Sequence, residues 1–103
     1  MLFSSQAHAQ TGLACIYSEK LHGGKTASGE RFDKNKLTAA HLKFKLGTKV
    51  RVINLTTKKS VIVRINDRGP FTKKFLIDLS PAAAKAIGFS YRQGVAKVRI
   101  ERI

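Results

Sequence analysis

The chain has 103 residues, 43% of them hydrophobic, enough for one packed core and too few for two domains. Twenty Lys and Arg against six Asp and Glu give a formal net charge of +14, a surface that attracts polyanions such as nucleic acid, anionic lipid or an acidic cell-wall polymer. Cys15 is the only cysteine, which excludes an internal disulfide and a cysteine-only metal cage, and no stretch approaches membrane-spanning length.

Met1-Leu2-Phe3 followed by Ala7-His8-Ala9 has the look of the end of a secretory signal peptide, with a small-x-small cleavage site before Gln10. Residues 1–9 are therefore read as the remnant of such a leader, and residues 10–103 as the domain. Thr11 to Ser18 reads as a first strand, with Cys15 as a small strand residue, and Glu19 to Glu30 as a loop built on Gly23-Gly24 and Gly29. Asp33 is a turn former. Leu37-Thr38-Ala39-Ala40-His41 fits a single helical turn capped by Thr38. Lys49 to Asn54 alternates as a strand with Lys and Arg toward water, and Thr56 to Lys59 turns it into a second, Ser60-Val61-Ile62-Val63-Arg64-Ile65.

Period-two spacing places Val61, Val63 and Ile65 on one face and carries Asp67 onto that same apolar side at the strand's exit. A carboxyl held against a core loses water and keeps its proton more readily, which is how a general acid is made. After the Gly69-Pro70 turn, Phe75 to Leu79 reads as an apolar strand. Ser80 caps a short helix over about residues 80–87, with Pro81 at its first position and Gly88 at its end. Gly94 to Ile103 closes the chain as a strand with Val95, Val98 and Ile100 inward. Short strands, one helix and Gly-rich turns point to a small closed β-barrel, whose strand order periodicity does not reveal. His8, His22 and His41 fall at no recognised ligand spacing, so no metal site is expected.

Thr26-Ala27-Ser28-Gly29-Glu30-Arg31-Phe32-Asp33, Leu37-Thr38-Ala39-Ala40-His41, Leu46-Gly47-Thr48-Lys49-Val50-Arg51-Val52, Val63 to Phe71 and Ile77-Asp78-Leu79-Ser80, in that order, closely resemble the rare lipoprotein A family over nearly all of Gly12 to Ile103. The resemblance implies an all-β, six-stranded double-psi β-barrel, shared with expansins, and action on peptidoglycan in the periplasm or cell envelope as a secreted lytic transglycosylase that prefers glycan strands without stem peptides. It implies Asp67 as the catalytic carboxyl, with Glu30 and His41 beside it, and no metal or organic cofactor. Where the family shows Ser-Trp-Tyr-Gly, this chain has Cys15-Ile16-Tyr17-Ser18, which removes one sugar-stacking face.

Lytic cleavage needs a proton for the leaving oxygen and a group that takes the proton of the sugar's own C6 hydroxyl, so one carboxyl can serve first as acid and then as base. Asp67 is the candidate; the competing reading is a turn Asp bonding main-chain amides. Arg68 either holds a substrate carboxylate or pairs with Asp78. Glu30 either orients the sugar or is a solvated loop residue. His41 either bonds Asp67 or a sugar hydroxyl, or is structural. Tyr17, Thr38 and Asn66 complete the candidate substrate-binding set with Arg68; Tyr17, Phe32, Phe71 and Tyr91 are candidate stacking faces for sugar rings, of which Phe32 and Phe71 are assigned first to the core. The expected partner is the peptidoglycan glycan strand. A non-catalytic, expansin-like wall-binding or wall-loosening module is the alternative, and nucleic acid is not expected because charge alone supports it. Strong like charge favours a monomer.

Overall fold

The computed structural model describes residues 9–103, so the leader expected at residues 1–9 lies outside the described residues but for Ala9, which opens a strand. Six strands, β1 (Ala9–Ile16), β2 (Thr38–Ala40), β3 (Lys49–Asn54), β4 (Ser60–Asp67), β5 (Ile77–Leu79) and β6 (Ala96–Arg102), close into a barrel in the order β1-β5-β2-β4-β3-β6. One helix, α1 (Pro81–Ala86), and a 3-10 turn at Glu19–Leu21 complete it. The β1/β5 and β2/β4 pairs are parallel, and the remaining four pairings are antiparallel. The closed six-stranded β-barrel with one short helix is the fold class that the sequence implied.

Alternation of side chains along each strand builds the core. Val50 and Val52 of β3, Val63 and Ile65 of β4, and Val98 and Ile100 of β6 are buried, while Lys97 and Arg99 point to water. Ile77 and Leu79 close the ring from β5, and Ile87 and Phe89 plug it beyond α1. The helix forms as its sequence predicts: Ser80 Oγ accepts from Ala83 N (3.2 Å), Pro81 occupies the first turn, and Gly88 follows with φ +72°. Ser80 also donates to Lys36 O (2.7 Å), which ties the cap to the segment before β2.

Three expectations change. Leu37 to His41 is not a helical turn: Thr38–Ala40 forms β2, because it lies between β4 and β5 and its backbone groups enter both ladders. Ladder pairing on two sides overrides the helix preference of an Ala pair. The strand expected from Phe75 begins only at Ile77, since Phe75 N closes a turn on Thr72 O (3.0 Å). Val95 is exposed, and the inward position at the start of β6 belongs to Ala96.

Asn54, only 1% exposed, is a polar tie inside this shell. Its Nδ2 donates to Ile87 O (2.8 Å) and its Oδ1 accepts from Thr56 N (2.9 Å) and Thr57 N (3.3 Å), locking the β3–β4 turn to the end of α1. Asn54→Ala strands those buried groups and is expected to cost about 2 kcal/mol, read by thermal denaturation as a drop of roughly 10 °C in Tm.

Candidate active site at the end of strand β4

The strict alternation of β4 breaks just where it matters. Ala39 pairs with Ile65, but Ala40 pairs with Asp67, so a β-bulge leaves Asn66 as the extra residue. Asn66 is buried (3% exposed), whereas Asp67 is half-buried and joins Ala40 on the outer side of the barrel rather than following Ile65 into the core. The sequence-based placement of Asp67 on the apolar face is thus corrected by one inserted residue. Gly69 supports this turn: its φ is +135°, and a Cβ there would lie 3.9 Å from Ala40 Cβ and 3.6 Å from the Phe71 ring.

Four segments converge on Asp67. Oδ1 accepts from Ala27 N (2.9 Å) and Arg68 N (2.8 Å), Oδ2 accepts from the Tyr17 hydroxyl, and the main-chain oxygen accepts from His41 N (3.2 Å). Main-chain amides therefore hold one oxygen, and a phenol at the end of β1 meets the other. Tyr17 is itself fixed by its ring against Phe32 (centroids 4.5 Å apart) and by its N–H donating to Leu79 O (2.8 Å). In this structure Tyr17 acts on the carboxyl rather than offering a bare stacking face.

The other expected site residues form the frame. Glu30 binds Arg64 in a two-pronged ion pair (2.7 and 3.1 Å), and those hydrogen bonds hold its carboxyl below the usual range. Glu30 belongs to the Thr26–Glu30 loop that delivers Ala27 N to Asp67, so the pair clamps that loop to β4. His41 is 3% exposed; its Nδ1 accepts from Lys43 N and Phe44 N (both 3.1 Å) and its ring stacks on Phe44. Burial, with Arg68 and Lys43 nearby, pushes the imidazole below its ordinary value and keeps it neutral. Arg68 does not pair with Asp78: it donates to His41 O (3.0 Å) and Phe44 O (2.7 Å), stitching the loop after β2 to the turn after β4. Thr38 (4% exposed) lies in the ladder opposite Arg64, and with Asn66 it is shut away from any surface a ligand could reach.

A second acid enters that the sequence reading had treated only as a partner for Arg68. In register, Cys15 pairs with Asp78, Asp78 with Ala40, and Ala40 with Asp67, so one row crosses β1, β5, β2 and β4. The neighbouring row, Ile16, Leu79, Ala39 and Ile65, faces inward; the Asp row faces out. Asp78 Oδ1 is buried with no hydrogen-bond partner among the described residues. Burial raises the Asp78 carboxyl from 3.8 to about 6, with Cys15 opposing and the nearby Asp67 charge adding to the rise. Burial also pushes the Cys15 thiol up to about 12, aided by Asp78, so it stays protonated. The sequence signal was an acid between two fully buried aliphatics, Ile77 and Leu79, in a chain with six acids.

Along the row Ala40 is buried, Cys15, Asp67 and Asp78 are half-buried, and Phe71 stands out beside them. Phe71, assigned to the core from sequence, is 80% exposed, because Gly69 and Pro70 carry it out past the carboxyls; Phe32 is core as expected. A cavity of about 470 Å³ lined by Ile16, Glu19, Phe89 and Tyr91 lies one step away, since the Tyr91 hydroxyl donates to Tyr17 O (2.8 Å). Asp67 lines neither this cavity nor the one of about 540 Å³ beside α1; it stands on the outer face, an arrangement suited to a polymer laid across the barrel. Among the described residues no three His, Cys, Asp or Glu side chains gather as a metal site would.

With this geometry in place, comparison with known proteins defines the class. The chain belongs to the lytic transglycolase family of double-psi β-barrel domains, which matches residues 9–100. It is 52% identical over 94 residues to the endolytic peptidoglycan transglycosylase RlpA of Neisseria meningitidis, covering 91% of this chain and 39% of that protein. It is 48% identical over 99 residues to the protein of the same name from Pseudomonas aeruginosa, covering 96% of this chain and 29% of that one. The chain thus spans well under half of these relatives' lengths. Among solved structures, the apo expansin of Clavibacter michiganensis aligns with TM-score 0.74 at 20% identity over 92% of this chain and 50% of that one. The Streptomyces papain inhibitor aligns with TM-score 0.71 at 20% identity over 92% and 94%. These two likenesses concern the fold.

The raised Asp78 value has a stability consequence. The folded protein binds this proton more tightly than the unfolded chain, so its contribution is fully present below about pH 4 and is lost as pH rises through about 6. Asp78→Asn removes that loss. Thermal and urea unfolding should find the variant more stable than the parent at pH 8, by up to about 3 kcal/mol, with the gap closing toward pH 4.

Proposed function

We propose that this domain is a peptidoglycan lytic transglycosylase, acting outside the cytoplasm on glycan strands, with a preference for strands without stem peptides, and leaving 1,6-anhydro-muramyl ends. The observation that carries the reading is the convergence of Ala27 N, Arg68 N and Tyr17 OH on one half-buried carboxyl, Asp67, on the outer side of the barrel, in a chain of this family. The relatives' printed name, endolytic peptidoglycan transglycosylase, supports it. No helix among the described residues is long and apolar enough to cross a membrane. A leader at residues 1–9 would direct the domain out of the cytoplasm, to the periplasm or cell envelope.

In this reading the glycan lies across the outer row, with a sugar face on the exposed Phe71 ring and the scissile bond near Asp67. Asp67 gives a proton to the leaving oxygen as its bond to C1 breaks, the C6 oxygen of the muramyl residue closes on C1, and Asp67 takes the C6 hydroxyl proton in return. The fixed carboxyl orientation limits the motion needed at the moment of reaction. Glu30 and His41 act through the loops they hold, and Arg68 through the turn it stitches, rather than by touching the reacting atoms. The +14 charge concentrates the domain, as a monomer, along a strand bearing lactyl carboxylates.

Incubation with denuded sacculi and mass spectrometry of the products tests the reading. The parent is expected to release anhydro-muramyl fragments, Asp67→Asn to lose at least about 100-fold of that activity, and both to bind the sacculi alike. Binding without any anhydro product from the parent would instead identify an expansin-like wall module. Sacculus binding should also weaken about tenfold or more between roughly 50 and 500 mM NaCl, since the attraction is screened.

A further inference from the structure

Resting on the transglycosylase reading, we propose that Asp78 is the second catalytic carboxyl of this site, the one that gives its proton to the leaving sugar oxygen, while Asp67 only accepts the proton of the attacking C6 hydroxyl. The barrel order makes the argument. β5 and β2 stand side by side between β1 and β4, so Asp78 and Asp67 share a row with Ala40 between them. Two strand spacings put their Cα atoms roughly 9 to 10 Å apart. Both side chains leave the sheet on the same side, so one sugar bridge can lie between the two carboxyls. Ala40 offers only a methyl group to the space between them, and the bulge at Asn66 is what turns Asp67 toward the same side.

The two carboxyls meet opposite surroundings. Asp67 has two main-chain amides and a phenol directed at its oxygens, all donors. Asp78 has a buried Oδ1 with no hydrogen-bond partner among the described residues. The titratable groups that face it are Cys15 from β1, Asp67 from β4 and Tyr91 from the segment after α1, while β2 presents only Ala40. None of these is a cation, and Arg68, which follows Asp67 directly, donates to the carbonyls of His41 and Phe44. A charge placed there gains only the weak hydrogen bond of the Cys15 thiol, which burial outweighs. A protonated acid fits, and the upward displacement to about 6 agrees. A residue kept for structure alone in such a place would be better as Asn, which would be more stable at neutral pH.

The step balances with no further reactant. The Asp78 proton goes to the leaving oxygen as the C1–O bond breaks, the C6 oxygen bonds to C1, and its proton passes to Asp67. The enzyme ends with the proton moved from Asp78 to Asp67, and exchange with water restores the starting state.

The test compares two substrates: denuded glycan, whose leaving sugar oxygen needs a proton, and a muramyl glycoside with an aryl phenolate leaving group, which does not. Asp78→Asn is expected to fold, to lose about 100-fold or more in kcat on glycan with little change in KM, and to come within about tenfold of the parent on the aryl glycoside. Asp67→Asn should be inactive on both. On glycan, the loss of activity of the parent as pH rises through about 6 should be absent from the residual activity of Asp78→Asn. Parent-like cleavage of glycan by Asp78→Asn, or an equal loss on both substrates, overturns the proposal while leaving the transglycosylase reading intact. A parent that yields no anhydro product from either substrate overturns both.

Discussion

The bulge that sets Asn66 between the Ala39–Ile65 and Ala40–Asp67 pairs is the constraint on which the rest of the site depends. Without it Asp67 would follow Ile65 into the barrel, where a carboxyl would displace aliphatic packing and meet no substrate. With it, Asn66 turns into the protein, where its main-chain oxygen accepts from Ser28 N (3.1 Å), and Asp67 emerges among donors. One extra residue therefore both anchors the Thr26–Glu30 loop and aims the carboxyl. Bulges next to active sites serve this re-aiming role because a strict two-residue period cannot place adjacent residues on chosen sides.

A parallel double crossover supplies the second half of the geometry. β1 and β5 run parallel, β2 and β4 run parallel, and the antiparallel β2/β5 pair joins them. Such long-range pairings bring residues distant in sequence, Cys15, Ala40, Asp67 and Asp78, into one row. The cost is that β2 and β5 are only three residues each, too short to hold themselves. Their support comes from bonds across the ends: Ser80 N to Thr38 O (2.9 Å), Leu76 N to Leu13 O (2.8 Å), and the Arg68 and Glu30 clamps. The polar residues around the site are thus largely scaffolding for one rigid row.

Much of this was legible in the chain. The alternation of β3, β4 and β6, the Ser80-Pro81 helix start and the Asn66 to Phe71 turn are local signals, and local signals survive folding when ladders and caps agree with them. What escaped has a common cause. An Ala pair reads as helical until two neighbouring strands claim its amides, and Phe71 reads as core until Gly69 carries it outward. Asp78 was visible as an acid between buried aliphatics, but its pairing with Ala40 depends on strand order, which period-two spacing does not encode. Tyr17 was noticed for its ring, whereas the structure uses its hydroxyl.

Net charge and site chemistry act on different length scales. A +14 surface favours the ionised form of every carboxylate it surrounds, yet Asp78 moves the other way. Fields from exposed lysines are screened within about 8 Å at physiological ionic strength, while loss of water acts directly on the buried atom. Glu30, half-buried and paired with Arg64, moves down; Asp78, enclosed by a thiol, an alanine and a second acid, moves up. In the proposed reading, long-range attraction gathers an anionic polymer over the surface, while local desolvation holds the proton on Asp78.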